Sequence, residues 1–246
     1  MQVTIDIVRQ DLKRLKLSAM AASLEAVIET ASRKNLDILA AIKLLTDMEH
    51  ETRWKNSIGR RFIQSKLTEQ VSIDQFNFHH HKSREEQKSR ILALLSIDFI
   101  NRQQDVILIG NPGTGKTWLA KCIALAACNA NRKVLFTTAV DMINHLVAAQ
   151  ADHSLLRKLH HYQAPDLLVC DELGYLPLGS EGSNLFFQVI SQRHRLRSTM
   201  LTTNLPFADW GKIFDSTTVA TAVADRLVYN SEVIILGGPS YRRKPK

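Results

Sequence analysis

Hydrophobic residues in the first part of the chain recur with the period of helices. Between residues 12 and 28 the apolar side chains lie three or four positions apart, which is typical of an amphipathic helix. The same spacing predicts a second helix over residues 36–45 and a third that starts near Asp47 and continues to Ile63. The pattern therefore predicts a small all-α N-terminal domain over residues 1–70.

The helical period stops at residue 71, and the next segment has a different composition. Residues 71–84 contain two phenylalanines and three consecutive histidines, His79 to His81. The histidines resemble a metal-binding tract, but no second cluster of ligands accompanies them. We interpret residues 71–84 as a linker.

Apolar runs alternate with helical stretches in the rest of the chain. The helical stretches lie near residues 85–97, 117–130, 140–149 and 183–195, and the predicted strands are 105–109, 133–138, 166–170, 198–203 and 232–236. This alternation is typical of a parallel α/β sheet, which binds ligands at the carboxyl ends of its strands. We therefore predict an α/β domain over residues 85–246 with a central five-stranded parallel sheet.

The turn after the first predicted strand has the sequence of a phosphate-binding loop, G-x-x-x-x-G-K-[ST]. Its glycines allow backbone N–H groups to point at a polyphosphate. Lys116 is placed to reach the terminal phosphates, and the Thr117 hydroxyl is placed to ligate Mg²⁺. The sequence thus predicts binding of a nucleoside triphosphate. The candidate binding residues are Gly110, Asn111, Pro112, Gly113, Thr114, Gly115, Lys116 and Thr117.

Two later strands also end in polar residues. Asp171 and Glu172 end the third strand, where Asp171 would hold Mg²⁺ through its water shell and Glu172 would polarise the attacking water. Asn204 ends the fourth strand and could position that water. The alternatives are a surface strand end for the two carboxylates and a turn-forming residue for Asn204.

Two arginines late in the chain could stabilise charge on a transferred phosphate. Arg226 could act on the nucleotide of a neighbouring subunit, and Arg242 on that of its own chain. Their spacing alone favours a plainer interpretation, a solvated arginine or an ion pair with Asp225.

The net charge of +8 favours polyanionic partners, although it suits general solubility equally well. Basic residues cluster near 53–66, 157–161, 193–197 and 242–246. A single cluster is usually a solvated face, but four together favour a nucleic-acid surface. We favour the first two clusters, with Arg53, Lys55, Arg60, Arg61, Lys66, Arg157 and Lys158 as candidate DNA-binding residues.

The cysteine pattern and the hydropathy of the chain indicate the cellular compartment of the protein. Cys122, Cys128 and Cys170 are odd in number, lack C-x-x-C spacing and lie in apolar runs, which predicts reduced core residues. The first residues have no signal pattern, and no apolar stretch approaches the length of a membrane span. We predict a soluble, cytoplasmic protein without a membrane partner.

Taken together, the motifs resemble the AAA+ ATPases of the initiator and helicase-loader branch. Within that branch the chain resembles the IstB-like family, the ATP-binding helper proteins of insertion-sequence transposition. The resemblance covers essentially the whole chain. It rests on the phosphate loop, Leu17-Ser-Ala-Met-Ala, Asp171-Glu-Leu-Gly-Tyr-Leu-Pro-Leu, Leu201-Thr-Thr-Asn-Leu-Pro-Phe, Trp210, Ala224-Asp-Arg-Leu and Ser240-Tyr-Arg.

This resemblance implies roles that spacing alone leaves open. Asn204 would be a sensor, Arg226 an inter-subunit arginine finger and Arg242 a second sensor. The protein would be an ATPase that uses ATP and Mg²⁺, forms a homo-oligomer on duplex DNA and assists a transposase of the same element. Two alternatives remain: a helicase-loader adaptor that acts in DNA replication, and a monomeric P-loop kinase.

Overall fold

The computed structural model describes residues 3–241, and the chain divides into two compact units between Arg60 and Arg61. The predicted helical character of the N-terminal part is confirmed. Its helices are α1 (Ile5–Arg14), α2 (Ser18–Lys34) and α3 (Ile38–Gln64). Their apolar sides form a small core around Leu24, Val27 and Leu45.

One helix start predicted in this unit is wrong. Asp47 lies inside α3, where its carboxylate pairs with Lys43 one turn earlier. In the same helix Glu49 is buried and accepts hydrogen bonds from the backbone N–H groups of Ala19 (2.8 Å) and Met20 (3.1 Å). These donors lie at the start of α2, where they have no partner within the helix. Glu49 therefore joins α3 to α2.

A five-stranded parallel sheet forms the centre of the second unit. The strands are β1 (Asp105–Gly110), β2 (Val134–Thr138), β3 (Leu167–Leu173), β4 (Ser198–Thr203) and β5 (Ser231–Leu236). They are hydrogen-bonded in the order β2-β3-β4-β1-β5, and every neighbouring pair is parallel. The predicted α/β class is confirmed. Because all strands run the same way, the residues that follow β1, β3 and β4 lie at one edge of the sheet.

Helices cover both faces of the sheet. They are α4 (Lys82–Glu86), α5 (Lys88–Leu94), α6 (Asp98–Asn101), α7 (Lys116–Asn129), α8 (Ala139–Ala151), α9 (Leu155–Gln163), α10 (Gly179–Arg193) and α11 (Thr217–Val228). Val106 and Leu108 of β1 pack in one core with α5 and α7, whereas Ile107 and Ile109 pack in a second core with α8 and α10. Burial on both faces explains the continuous hydrophobic runs of the strands. No helix within the described residues is long and apolar enough to span a membrane.

The segment before α4 packs within the second unit. The carbonyl of Ser65 accepts a hydrogen bond from the N–H of Phe136 in β2 (2.8 Å), so this unit begins before residue 70. Phe76 and Phe78 are buried in the core that contains α7. Residues 71–84 therefore differ from the linker that we predicted, because their aromatic side chains are part of a core.

The cysteines and histidines form no metal-binding cluster in the part of the chain that the structure describes. Cys122, Cys128 and Cys170 are buried and unpaired, as predicted. In the histidine tract, Nδ1 of His79 lies 3.0 Å from a carboxylate oxygen of Glu85. The tract thus contributes local contacts at the start of α4.

Candidate nucleotide-binding site

The phosphate loop lies between β1 and α7, at the carboxyl edge of the sheet. Gly113 and Gly115 have φ angles of +81° and +92°. A Cβ atom on Gly113 would lie 2.0 Å from Oγ of Ser240, and one on Gly115 would lie 2.6 Å from a ring carbon of Phe76. Only glycine suits both this backbone conformation and these contacts.

The loop ends in a lysine that faces back into it. Nζ of Lys116 donates to the carbonyls of Gly110 (2.7 Å) and Asn111 (3.1 Å). Lys116 is also the first residue of α7, whose N-terminal N–H groups carry partial positive charge. The loop therefore presents an ammonium group and a helix N-terminus at one place, which suits a polyphosphate.

The oxygen atoms expected to hold a magnesium ion lie next to each other. Oγ1 of Thr117 donates to Oδ1 of Asp171 at 3.1 Å. Asp171 is buried, and its Oδ1 also accepts a hydrogen bond from the hydroxyl of Thr202 on β4. A hydroxyl and a carboxylate are the hard oxygen ligands that Mg²⁺ takes beside phosphate and water, so these residues fit the ion.

Glu172 occupies a strained position beside Asp171. Its φ angle is +61°, and the pairing of β3 with β4 shifts register between Cys170 and Leu173. Such a conformation costs a non-glycine residue about 1–2 kcal/mol. The N–H of Glu172 donates to Oγ1 of Thr202 (3.0 Å), which holds the bulge. Bulges of this kind redirect a side chain at a strand end.

Three of the four predicted catalytic residues, Lys116, Glu172 and Asn204, meet around a small cavity. It has a volume of about 170 Å³ and is lined by Pro112, Gly113, Lys116, Thr117, Glu172, Tyr175, Thr202, Thr203 and Asn204. The structure therefore brings together residues from the ends of β1, β3 and β4 that lie far apart in the sequence.

A larger cavity of about 380 Å³ also borders the loop. Gly113, Gly115, Lys116 and Thr117 line one wall, and Gln75, Phe76, Asn77, Arg84, Trp118 and Tyr241 are among the other lining residues. Residues 71–84 thus contribute four lining residues to this cavity, although sequence reasoning did not assign this segment to the site. The available signal was the pair of aromatic residues in this segment.

Arg84 ties that segment to the phosphate loop. Its Nη2 donates to the carbonyl of Thr114 and its Nη1 to the carbonyl of Asn77, both at 2.9 Å. The guanidinium carbon lies 4.6 Å from the ring centre of Phe76 and 5.3 Å from that of Tyr241. Burial lowers the pKa of Arg84, which is 2% exposed. The arginine acts as a fixed support behind the loop.

Of the two arginines predicted to act near the γ-phosphate, the structure describes Arg226 only. Arg226 lies on α11, where Nη1 donates to the carbonyl of Ala222 (2.9 Å) and the guanidinium lies 4.6 Å from the ring centre of Phe187. Among the described residues that line the two cavities, Arg226 does not occur. Arg242 lies outside the described residues.

Two of the candidate DNA-binding residues on α3 form ion pairs with glutamates of the same helix. Nε of Arg53 donates to Glu49 (2.8 Å), and Nζ of Lys55 lies 2.6 Å from a carboxylate oxygen of Glu51. Arg60 is exposed. Lys66 is exposed and lines a cavity of about 390 Å³ that also contains Asp171. Arg61, Arg157 and Lys158 lie in the second unit, on α3 and α9.

The basic cluster at 193–197 is largely structural. Arg193 is 1% exposed and donates to the carbonyls of Tyr162, Gln163, Pro165 and Ser198. Arg197 pairs with Asp166 at 2.5 Å. These contacts remove two of the charges that the sequence suggested for a polyanion.

Known proteins with similar sequences come from insertion sequences. The model of the IstB-like ATP-binding protein family matches residues 10–246. A protein named as the ATP-binding protein of insertion sequence IS5376 from Geobacillus stearothermophilus is 36% identical, over 95% of this chain and 92% of its own length. The corresponding protein of IS21 from Pseudomonas aeruginosa is 34% identical, over 96% of this chain and 88% of its own.

Solved structures with a similar fold belong to replication proteins. A DnaC helicase loader superposes with a TM-score of 0.56 at 19% identity, over 72% of this chain and 98% of its own. AMPPCP-bound DnaA from Aquifex aeolicus gives a TM-score of 0.57 at 16% identity, over 68% of this chain and 50% of its own. These likenesses indicate an AAA+ P-loop fold. The sequence match extends over almost the whole chain and identifies the family as well as the fold. This chain belongs to the family of IstB-like ATP-binding proteins.

Proposed function

We propose that this protein is an ATPase that assembles on duplex DNA in its ATP-bound state and assists a transposase. The observation that carries the proposal is the convergence of Lys116, Thr117, Glu172 and Asn204 on one cavity, with Asp171 bonded to Thr117. Phosphoryl transfer needs such an arrangement, because it depends on positioning and on stabilising charge.

Each residue has a role that its position supports. Lys116 binds the terminal phosphates, and Thr117 and Asp171 hold Mg²⁺, which offsets phosphate charge when it is bound. Glu172 orients and polarises the attacking water, and Asn204 positions it from the neighbouring strand end. The cavity formed by Phe76, Arg84 and Tyr241 receives the base and ribose.

Assembly would complete this site. Arg226 lies on α11 and is not among the described residues that line the two cavities. This position supports a role toward the nucleotide of a neighbouring subunit. ATP would then link subunits, and hydrolysis would release them.

Duplex DNA and a transposase are the partners that the family context supports, because the relatives are named as insertion-sequence proteins. The net charge of +8 agrees with a phosphate-rich partner. The helicase-loader alternative rests on the structural similarity to DnaC, and that similarity is one of fold.

The decisive experiment measures particle mass with and without ATP and duplex DNA. We expect large assemblies only when both are present, for the wild type and for a Glu172→Gln variant that retains ATP. A protein that stays monomeric under all conditions would contradict the proposal. Retention of a replicative helicase by the full chain, without binding of duplex DNA, would favour the helicase loader.

A further inference from the structure

A basic groove lies at the amino-terminal edge of the sheet. It has a volume of about 640 Å³, and its walls come from the end of α3, the start of β2 and the helix α9. Its basic lining residues are Arg61, Lys133, Arg157, His160 and His161. None of the described residues that line it carries a carboxylate.

The groove combines residues from three separate parts of the sequence. Lys133, Arg157, His160 and His161 are exposed, whereas Arg61 is half-buried. Nε of Arg61 donates to Oδ1 of Asn131 (3.0 Å), which fixes its guanidinium at the groove wall. The charges therefore converge on one concave surface instead of spreading along a helix.

Positive charge is concentrated around the groove. Burial chiefly, and then the charges of Lys66 and Lys158 and the neighbouring His145, lower the pKa of His161, so the positive charge of the groove comes from Arg61, Lys133 and Arg157. The nearest carboxylate in the sequence, Asp166, is already engaged by the N–H of Lys133 (2.9 Å) and by Arg197 (2.5 Å). A dense polyanion is the partner that best compensates such a surface.

The other basic clusters have fewer side chains available for a phosphate, because several are already engaged within the protein. Arg53 and Lys55 pair with glutamates one turn earlier on α3, and Arg193 is buried in backbone contacts. The groove offers lysine and arginine side chains that suit phosphate oxygens, and Gln64 is the one amide side chain among its described lining residues. Its chemistry favours a backbone contact over sequence recognition.

We propose that this groove binds the phosphodiester backbone of duplex DNA, an inference that rests on the proposed function. The groove touches Val134 and Leu135 at the amino end of β2, whereas Thr137 and Thr138 at its carboxyl end line a cavity with Asp171 and Glu172. One short strand therefore lies between the DNA contact and the hydrolytic residues. DNA and nucleotide occupy opposite edges of the sheet and do not compete.

The test compares two double variants of the full chain. Lys133→Ala/Arg157→Ala removes two charges from the groove. Lys43→Ala/Lys212→Ala removes two exposed lysines that pair with Asp47 and Asp209, four and three positions away, so the net charge falls equally. The affinity for a duplex of random sequence is measured with ATP over a range of salt concentrations, together with thermal stability and ATP turnover without DNA.

For the groove variant we expect the slope of log affinity against log salt to decrease in magnitude by roughly 2, about 0.9 for each lost phosphate contact. The slope of the control should equal that of the wild type, and turnover without DNA should be unchanged in both. Equal slopes in the two variants would overturn the groove assignment. The groove assignment would also be overturned if the groove variant bound DNA normally but no longer bound an acidic protein partner. If the wild type binds no duplex DNA in any nucleotide state, the proposed function itself fails.

Discussion

The hydroxyl of Thr202 on β4 donates a hydrogen bond to the carboxylate of Asp171 on β3. The same hydroxyl accepts the N–H of Glu172 at 3.0 Å. A hydroxyl can donate one bond and accept others, so one buried side chain holds both residues of the acidic pair. Thr202 thus positions Asp171, the proposed Mg²⁺ ligand, and the bulge that carries Glu172.

Replacing Thr202 with valine should lower ATP turnover while leaving ATP binding within a few-fold of wild type. Valine keeps the shape but removes both hydrogen bonds of the hydroxyl. The bond to the charged Asp171 is worth about 1.5–3 kcal/mol, so kcat should fall roughly 10- to 100-fold. Steady-state kinetics and nucleotide titration measure the two effects. Thr202→Ser should restore turnover, and a valine variant with normal kcat would contradict the role.

Glu172→Gln should bind ATP normally and hydrolyse it slowly. The amide keeps the size of the side chain but cannot polarise the attacking water, so turnover should fall about 10²- to 10⁴-fold. Single-turnover hydrolysis measures the chemical step. Glu181→Gln, on the exposed first turn of α10, serves as a control that should leave the rate unchanged.

Arg84→Lys should weaken nucleotide binding, because lysine cannot bond to the carbonyls of Thr114 and Asn77 together and still lie over Phe76. We expect the Kd for ATP to rise about tenfold, in line with the loss of one hydrogen bond to a charged group. Arg90→Lys is the matched control, since Arg90 bonds to Glu232 and to the carbonyl of Val233 at the surface. Equal Kd values for both variants would argue against a support role for Arg84.

Mixing two inactive variants should restore ATP turnover if Arg226 acts between subunits. Arg226→Ala subunits keep Glu172, and Glu172→Gln subunits keep Arg226, so mixed assemblies contain some complete sites. The turnover of mixtures on DNA is measured against the mole fraction of each variant. If Arg226 served the nucleotide of its own chain, no mixture would exceed the sum of its parts.

Stability should depend on pH through Asp105. Burial raises the pKa of this carboxyl to about 7, against the opposing effects of the Thr199 N–H (2.6 Å) and Arg193. Between about pH 4 and pH 7 the folded protein therefore holds a proton that the unfolded chain has released. The free energy of unfolding should fall as pH rises through this window, by up to about 1.4 kcal/mol per pH unit.

Asp105→Asn should remove this contribution, since the amide oxygen still accepts the Thr199 N–H but cannot ionise. Denaturant unfolding at several pH values compares the slopes of the two proteins. Asp98→Asn, at an exposed carboxylate, should keep the wild-type slope. A slope that is the same with and without Asp105 would contradict the assignment.

Much of the core could be predicted from the sequence, and the reasons are local. The phosphate loop and the strand end at Asp171 are contiguous motifs, and parallel strands bring their carboxyl ends to one edge. Periodicity was less reliable where a helix passes through charged positions. The sequence predicts a helix start near Asp47, but Asp47 lies inside α3 and pairs there with Lys43.

The sequence by itself determined that this chain has a triphosphate-binding α/β core, because the loop and the strand ends are encoded in consecutive residues. Only the tertiary structure decided that Phe76 and Arg84 line the loop, that Thr202 holds Asp171, and that Arg61 and Arg157 share a groove. These contacts join residues far apart in the chain. They depend on how strands and helices pack, and no local spacing encodes that packing.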